Sequence, residues 1–174
     1  MIGVHRALTS AGGLTDPTLP PKEERGRCSK GWAVARSAVR HVEEGRPRVL
    51  VVDDLGYARD ALAELLRSAS YEVMAVGSGA EALDELEHHG ADLVLSDIYM
   101  PRMTGWELAH AVRERGVTNT RGLPICIGLY SALLSGFSRE QLTRAQVDFA
   151  VTKLTDPDAI LDAIERALAW SEVR

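Results

Sequence analysis

The chain has 174 residues, 45% of them hydrophobic and 26% charged, which fits one packed domain of about 100–150 residues plus an appendage. That composition excludes wholesale disorder, and a net charge of −5 with a pI near 5.5 argues against a general nucleic-acid binder. Aromatic residues make up only 5% of the chain, so the core is expected to consist of Val, Leu, Ile and Ala, as in an α/β sandwich.

The charge is uneven. Residues 1–46 carry eight Lys/Arg against five Asp/Glu, a net of +3, and residues 47–174 carry twelve against twenty, a net of −8. The acidic part begins where hydrophobic patterning begins, which sets a domain boundary near Pro47. Residues 1–29 are rich in Gly, Pro, Thr and charge, with no period of 2 or 3.6, and are expected to form a flexible tail. In residues 30–44, Trp32, Ala35, Val39 and Val42 fall at helical spacing ahead of Gly45 and Pro47, which predicts a short helix. Cys28 and Cys126 lie far apart without metal-type neighbours, so neither a disulfide framework nor a thiolate metal site follows from them. The chain contains no run of 18 apolar residues and no signal-peptide core; the expected setting is the cytoplasm, with no membrane partner.

Val49-Leu50-Val51-Val52 is a continuous apolar run of the kind found in a strand covered on both faces. Tyr57, Ala58, Ala61, Leu62, Leu65 and Leu66 then recur at helical spacing and predict a helix. Residues 72–76 predict a second strand, and residues 81–88 a second helix with Ala82, Leu83 and Leu86 inward. Leu93-Val94-Leu95 predicts a third strand ending at Asp97, and residues 105–115 a third helix. Residues 125–129 predict a fourth strand. Ser138 with Gln141 three residues on is a capping-box signature for a fourth helix. Residues 149–151 predict the fifth strand. Asp156-Pro157 supplies an N-cap and a first-turn proline for a last helix reaching about Trp170, with Ile160, Ala163, Ile164, Ala167 and Leu168 inward. Five strand–helix repeats demand a doubly wound, five-stranded parallel sheet with helices on both faces. In such sheets ligands bind at the carboxyl ends of the strands, near the reversal of strand order.

The polar residues at those ends are Asp53 and Asp54, Asp97, Ser131 and Lys153. Three carboxylates converging on one cleft repel each other when ionised. A hard divalent cation relieves that repulsion, and Mg²⁺ suits one or two carboxylates with waters and phosphate oxygens. A lysine and a hydroxyl are the other groups that phosphoryl oxygens require. The set predicts a metal-assisted phosphoryl-transfer site in which one Asp is the candidate nucleophile. Each residue alone is an ordinary cap or solvated charge; their joint occurrence at successive strand ends carries the prediction.

Val49-Leu50-Val51-Val52-Asp53-Asp54, followed by Asp97-Ile98-Tyr99-Met100-Pro101-Arg102-Met103-Thr104-Gly105-Trp106-Glu107, closely resembles the receiver domain of two-component response regulators. Gly79-Ala80-Glu81-Ala82-Leu83 is similar to that family's second helix entry. The resemblance covers residues 47–172, with 1–46 as an N-terminal extension. It implies a flavodoxin-like (βα)5 fold of the CheY-like, single-domain kind. It further implies that Asp97 is the phosphoacceptor and that Asp53, Asp54, Asp97 and the backbone carbonyl of Tyr99 hold Mg²⁺. Ser131 matches the switch hydroxyl and Lys153 the lysine that pairs with the phosphoryl group. The implied partners are a sensor histidine kinase or a histidine phosphotransfer protein, and a downstream protein effector, with a dimer through the helix 4, strand 5, helix 5 face.

The chain departs from the family pattern in four places. Leu154 follows the lysine where proline is usual, and Ala150 stands at the switch-aromatic position with Phe149 one place earlier. Thr104 replaces a common acidic residue, and the stretch from Pro124 to Ser131 is about two residues longer than typical. His41, His88, His89 and His110 lack the setting of a phosphodonor. Two or three residues follow the last helix, so the leading expectation is a stand-alone phosphoacceptor that promotes its own phosphorylation and dephosphorylation and is otherwise no enzyme. The competing expectation is a receiver-like interaction module that works without phosphorylation.

Overall fold

The computed structural model describes residues 45–119, 121–132 and 138–171. The helix expected within 30–44, the tail before it and Cys28 lie outside the described residues. Residues 46–174 form one compact unit. Its elements are β1 (Arg48–Val52), α1 (Gly56–Ser68), β2 (Glu72–Val76), α2 (Gly79–His89), β3 (Leu93–Ser96), α3 (Gly105–Glu114), β4 (Cys126–Ser131), α4 (Arg139–Arg144), β5 (Phe149–Thr152) and α5 (Pro157–Ser171).

All four strand pairings are parallel, in the order β2-β1-β3-β4-β5. The order reverses between β1 and β3, so these two neighbours share the switch point of the sheet. Val49 to Val52 are fully buried because both faces of β1 are covered. On one face Leu50, Val52, Val94, Ile127 and Leu129 pack against Ala82, Leu83 and Leu86 of α2 and Leu108, Ala109 and Val112 of α3. On the other, Val49, Val51, Leu93, Leu95 and Cys126 pack against Leu62 and Leu66 of α1 and Ile160, Leu161 and Ile164 of α5. The five-stranded doubly wound sheet expected from the sequence is the observed fold.

The helix starts follow from their caps. The Gln141 N–H donates to Ser138 Oγ at 3.2 Å, and the Ser138 N–H donates to Gln141 Oε1 at 2.7 Å, which completes the capping box read from the sequence. A second box, not anticipated, opens α3: Glu107 N–H to Thr104 Oγ1 at 3.2 Å and Thr104 N–H to Glu107 Oε2 at 2.8 Å. Thr104, which stands where the family often has an acid, therefore sets the start of the helix behind Asp97. The Asp156 carboxylate accepts from the Asp158 N–H at 2.9 Å at the head of α5.

Two differences from the sequence reading bear on function. β4 runs on to Ser131, past the apolar run, because Tyr130 and Ser131 pair with Val151 and Thr152 of β5. In α1 the buried positions are Leu62, Ala63 and Leu66, whereas Tyr57 is 77% exposed. Tyr57 sits in the first turn of α1, beyond the last β1 ladder residue Val52, where no strand lies beneath it.

Phe149 and Gly128 pack as a pair across the β4–β5 ladder, and a Cβ added at Gly128 would land inside the Phe149 ring. Gly128→Ala is expected to lower the unfolding free energy by about 1–3 kcal/mol through overpacking. Urea unfolding checks this, and adding Phe149→Leu should recover part of the loss.

Candidate functional site

The site is assembled by continuations of the sheet ladder. The Asp53 N–H donates to Val76 O at 3.2 Å and the Asp97 N–H to Val52 O at 2.8 Å, so the ends of β1 and β3 hold these two residues side by side. Asp53 is 1% and Asp97 7% exposed, and Asp54, next along the chain, is exposed. Carboxylate oxygens of Asp53, Asp54 and Asp97 lie within 4.8 Å of one another. Asp53 is further fixed from behind: its Oδ1 accepts from the Leu55 N–H at 2.9 Å, and its backbone carbonyl accepts from Arg59 Nη1 at 2.9 Å. Around Asp97 the chain turns tightly, with the Gly105 N–H donating to Ile98 O at 2.9 Å. A Cβ at Gly105 would collide with the Asp97 carbonyl oxygen, so only glycine fits there.

Lys153 reaches this cluster from the far side of the sheet. Its N–H donates to Ser131 O at 2.9 Å, which extends the β4–β5 ladder by one step. Nζ lies 2.6 Å from Asp53 Oδ2 and 3.4 Å from Asp97 Oδ1. In the turn that follows, the Leu154 N–H donates to Thr152 Oγ1 at 3.3 Å and the Thr155 N–H to Thr152 O at 3.0 Å. Thr152 thus closes the turn through an N–H that a proline at 154 would lack. Burial alone pushes the Lys153 pKa down, but the hydrogen bond to Asp53 and the charge of Asp97 outweigh it and hold the ammonium above the ordinary lysine value.

The structure brings Asp53, Asp54, Asp97 and Lys153 together, with Ser131 buried at the end of β4 beside Lys153. Tyr99, two residues beyond Asp97, turns its ring to solvent at 61% exposure. Ala150 packs with the α2–α3 side of the core and Phe149 with the α1–α5 side, so the aromatic ring of β5 is on the opposite face from the usual position.

Tyr130 was missed in the sequence. Its ring stands 5.7 Å from Lys153 Nζ, within cation–π range, and burial, with Asp53 adding to it against Lys153, raises its hydroxyl pKa. It closes one side of a cavity of about 450 Å³ that also touches Tyr57, Tyr99, Ser131, Asp97 and Lys153.

The response regulator receiver domain family matches residues 49–165. This chain belongs to that family. It is 38% identical over 101 residues to the two-component response regulator ORR11 of Oryza sativa subsp. indica, covering 56% of this chain and 67% of that protein. It is 32% identical over 121 residues to the sensor histidine kinase RcsC of Salmonella typhi, covering 70% of this chain but only 12% of that much longer protein. Among solved structures, the Vibrio cholerae chemotaxis protein CheY4 superposes with a TM-score of 0.64 at 27% identity, over 71% of this chain and 99% of that one. The receiver is thus a domain of two-component signalling, with the CheY-like fold. Among the described residues, no helix is long and apolar enough to cross a membrane.

Because the folded-state pKa of Lys153 is raised, the stabilisation from its ion pairs is full below its unfolded value of 10.5 and is lost as the pH rises through the folded value. In chelator, the stability gap between wild type and Lys153→Met is expected to stay constant from about pH 7 to 9 and to narrow in more alkaline buffer. Urea unfolding at each pH measures it, and a gap that does not narrow contradicts the pairing.

Proposed function

We propose that this receiver accepts a phosphoryl group on Asp97 and that Asp53, Asp54 and Lys153 make the transfer possible. The observation that carries this reading is the meeting of three carboxylates and one ammonium at the switch point, with Asp97 directly after β3 and nearly buried. An Asp97 oxygen attacks phosphorus, the bond to the donor breaks, and an acyl phosphate forms on the side chain. Lys153 then turns from Asp53 toward the new phosphoryl oxygens, and the Ser131 hydroxyl follows the same charge. The domain promotes its own phosphorylation rather than turning over a separate substrate.

The donor set fits Mg²⁺: hard oxygen ligands only, two carboxylates nearly buried and one facing water. Asp53, Asp54 and Asp97, with the Tyr99 carbonyl, would hold it, and when bound it supplies charge neutralisation for the incoming phosphoryl group. Lys153 occupies part of that role by resting on Asp53 Oδ2.

The partner reading follows from the chemistry. A phosphorylated histidine of a sensor kinase or phosphotransfer protein is the donor, and a protein effector reads the result. Residues 47–172 act as a cytoplasmic receiver, with residues 1–46 as an N-terminal extension of it.

Incubation with acetyl phosphate and Mg²⁺ is expected to give one acid-stable, base-labile phosphoryl adduct by intact mass. Asp97→Ala should abolish it. An adduct that survives Asp97→Ala, or no adduct in the wild type, overturns the reading. Mg²⁺ at about 100 times its Kd should raise the unfolding free energy by about 2.7 kcal/mol, read from urea midpoints, and Asp54→Asn should remove most of that gain.

A further inference from the structure

We propose that the cavity beside Asp97 is a slot for the imidazole ring of the phosphodonor, with Tyr57 and Tyr130 as the residues that set donor preference. The inference rests on Asp97 being the phosphoacceptor. Among the described residues, the cavity takes in Asp97, Ser131 and Lys153 but neither Asp53 nor Asp54. Asp97 thus borders both the carboxylate cluster and a cavity of about 450 Å³, within the size range of small-ligand sites.

In-line displacement places the leaving group on the side of phosphorus opposite the attacking Asp97 oxygen. The cavity is open space beside Asp97 that holds no second carboxylate, and it offers room for that leaving group. Away from Asp97, Ser131 and Lys153 its walls are uncharged and largely apolar: Leu55, Tyr57, Ala58, Tyr99 and Tyr130. The Tyr57 ring is 77% exposed and Leu55 43% exposed, so both have surface to offer an incoming ring. The Tyr130 ring is half-buried and held beside Lys153.

These walls discriminate by leaving group. A phosphoimidazole protonated on its other nitrogen loses the P–N bond with the electron pair returning to the ring, which departs as neutral imidazole while the P–O bond to Asp97 forms. That planar, neutral ring gains edge or face contacts with tyrosine rings. Acetyl phosphate instead expels acetate, a small anion that gains nothing from apolar and aromatic walls.

The test compares phosphorylation rates with N-phosphoimidazole and with acetyl phosphate, both with Mg²⁺, by intact mass. Tyr57→Ala and Tyr130→Ala are each expected to lower the ratio of the phosphoimidazole rate to the acetyl phosphate rate about three- to tenfold, the range of a single aromatic contact. Tyr57→Phe and Tyr130→Phe should keep the wild-type ratio, because the ring and not the hydroxyl makes the contact. Ala variants whose two rates fall together, or do not change, overturn the slot while leaving the Asp97 reading intact. A wild type that reacts with neither donor overturns the Asp97 reading and the slot with it. Since Tyr57 lies on the surface, its Ala variant tests the slot without disturbing the core.

Discussion

The arrangement of this domain turns on one electrostatic constraint. Asp53, Asp54 and Asp97 crowd their carboxylates into a space of a few ångströms, and a single ammonium, Lys153, sits 2.6 Å from one and 3.4 Å from another. Without that cation, two nearly buried carboxylates would face each other at the cost of several kcal/mol per unpaired ion. The pairing joins residues one hundred positions apart in the chain. Every strand between them must therefore stand in the right order, and β5 must end where its turn can aim Lys153 inward.

Order and aim come from ordinary backbone chemistry. The β1–β3 ladder carries Asp53 and Asp97 to adjacent positions, and the β4–β5 ladder carries Lys153 up beside Ser131. The turn after Lys153 keeps its shape through the Thr152 hydroxyl and carbonyl, which accept the N–H groups of Leu154 and Thr155. Behind Asp97, the Thr104–Glu107 capping box starts α3 and Gly105 presses on the Asp97 carbonyl. The hydrogen bonds of Glu107 to Thr104 also hold its carboxyl below the usual range, so the box stays intact across neutral pH. Asp97 is thus held by a turn whose shape depends on one glycine and one cap.

On the open side of Asp97 the chemistry changes from charge to aromatic surface. Ala150 packs on the α2–α3 face, and Phe149 packs on the α1–α5 face over Gly128. Aromatic rings nonetheless reach the site, from α1 as Tyr57 and from β4 as Tyr130.

Much of this was legible in the chain. Uninterrupted apolar runs such as Val49-Leu50-Val51-Val52 require a strand covered on both faces, and five of them alternating with helical periods leave few topologies. The acidic pair after the first run, Asp97 after the third and Lys153 after the fifth then fall at one end of the sheet, and the Ser138–Gln141 cap was readable from spacing alone. Tyr57 and Tyr130 were not readable as site residues, because periodicity reports which side chains are apolar and not whether anything lies beneath them. Tyr57 was counted toward the core yet lies beyond the end of β1, and Tyr130 fell just past the expected fourth strand until its pairing with Val151 lengthened β4 and set its ring beside Lys153. By itself the sequence determined the fold and the chemistry of the acidic cluster, since both depend on residue type and order. Only the tertiary structure decided the distances within that cluster and the aromatic wall beside it, since these depend on where strand ends and helix turns meet in space.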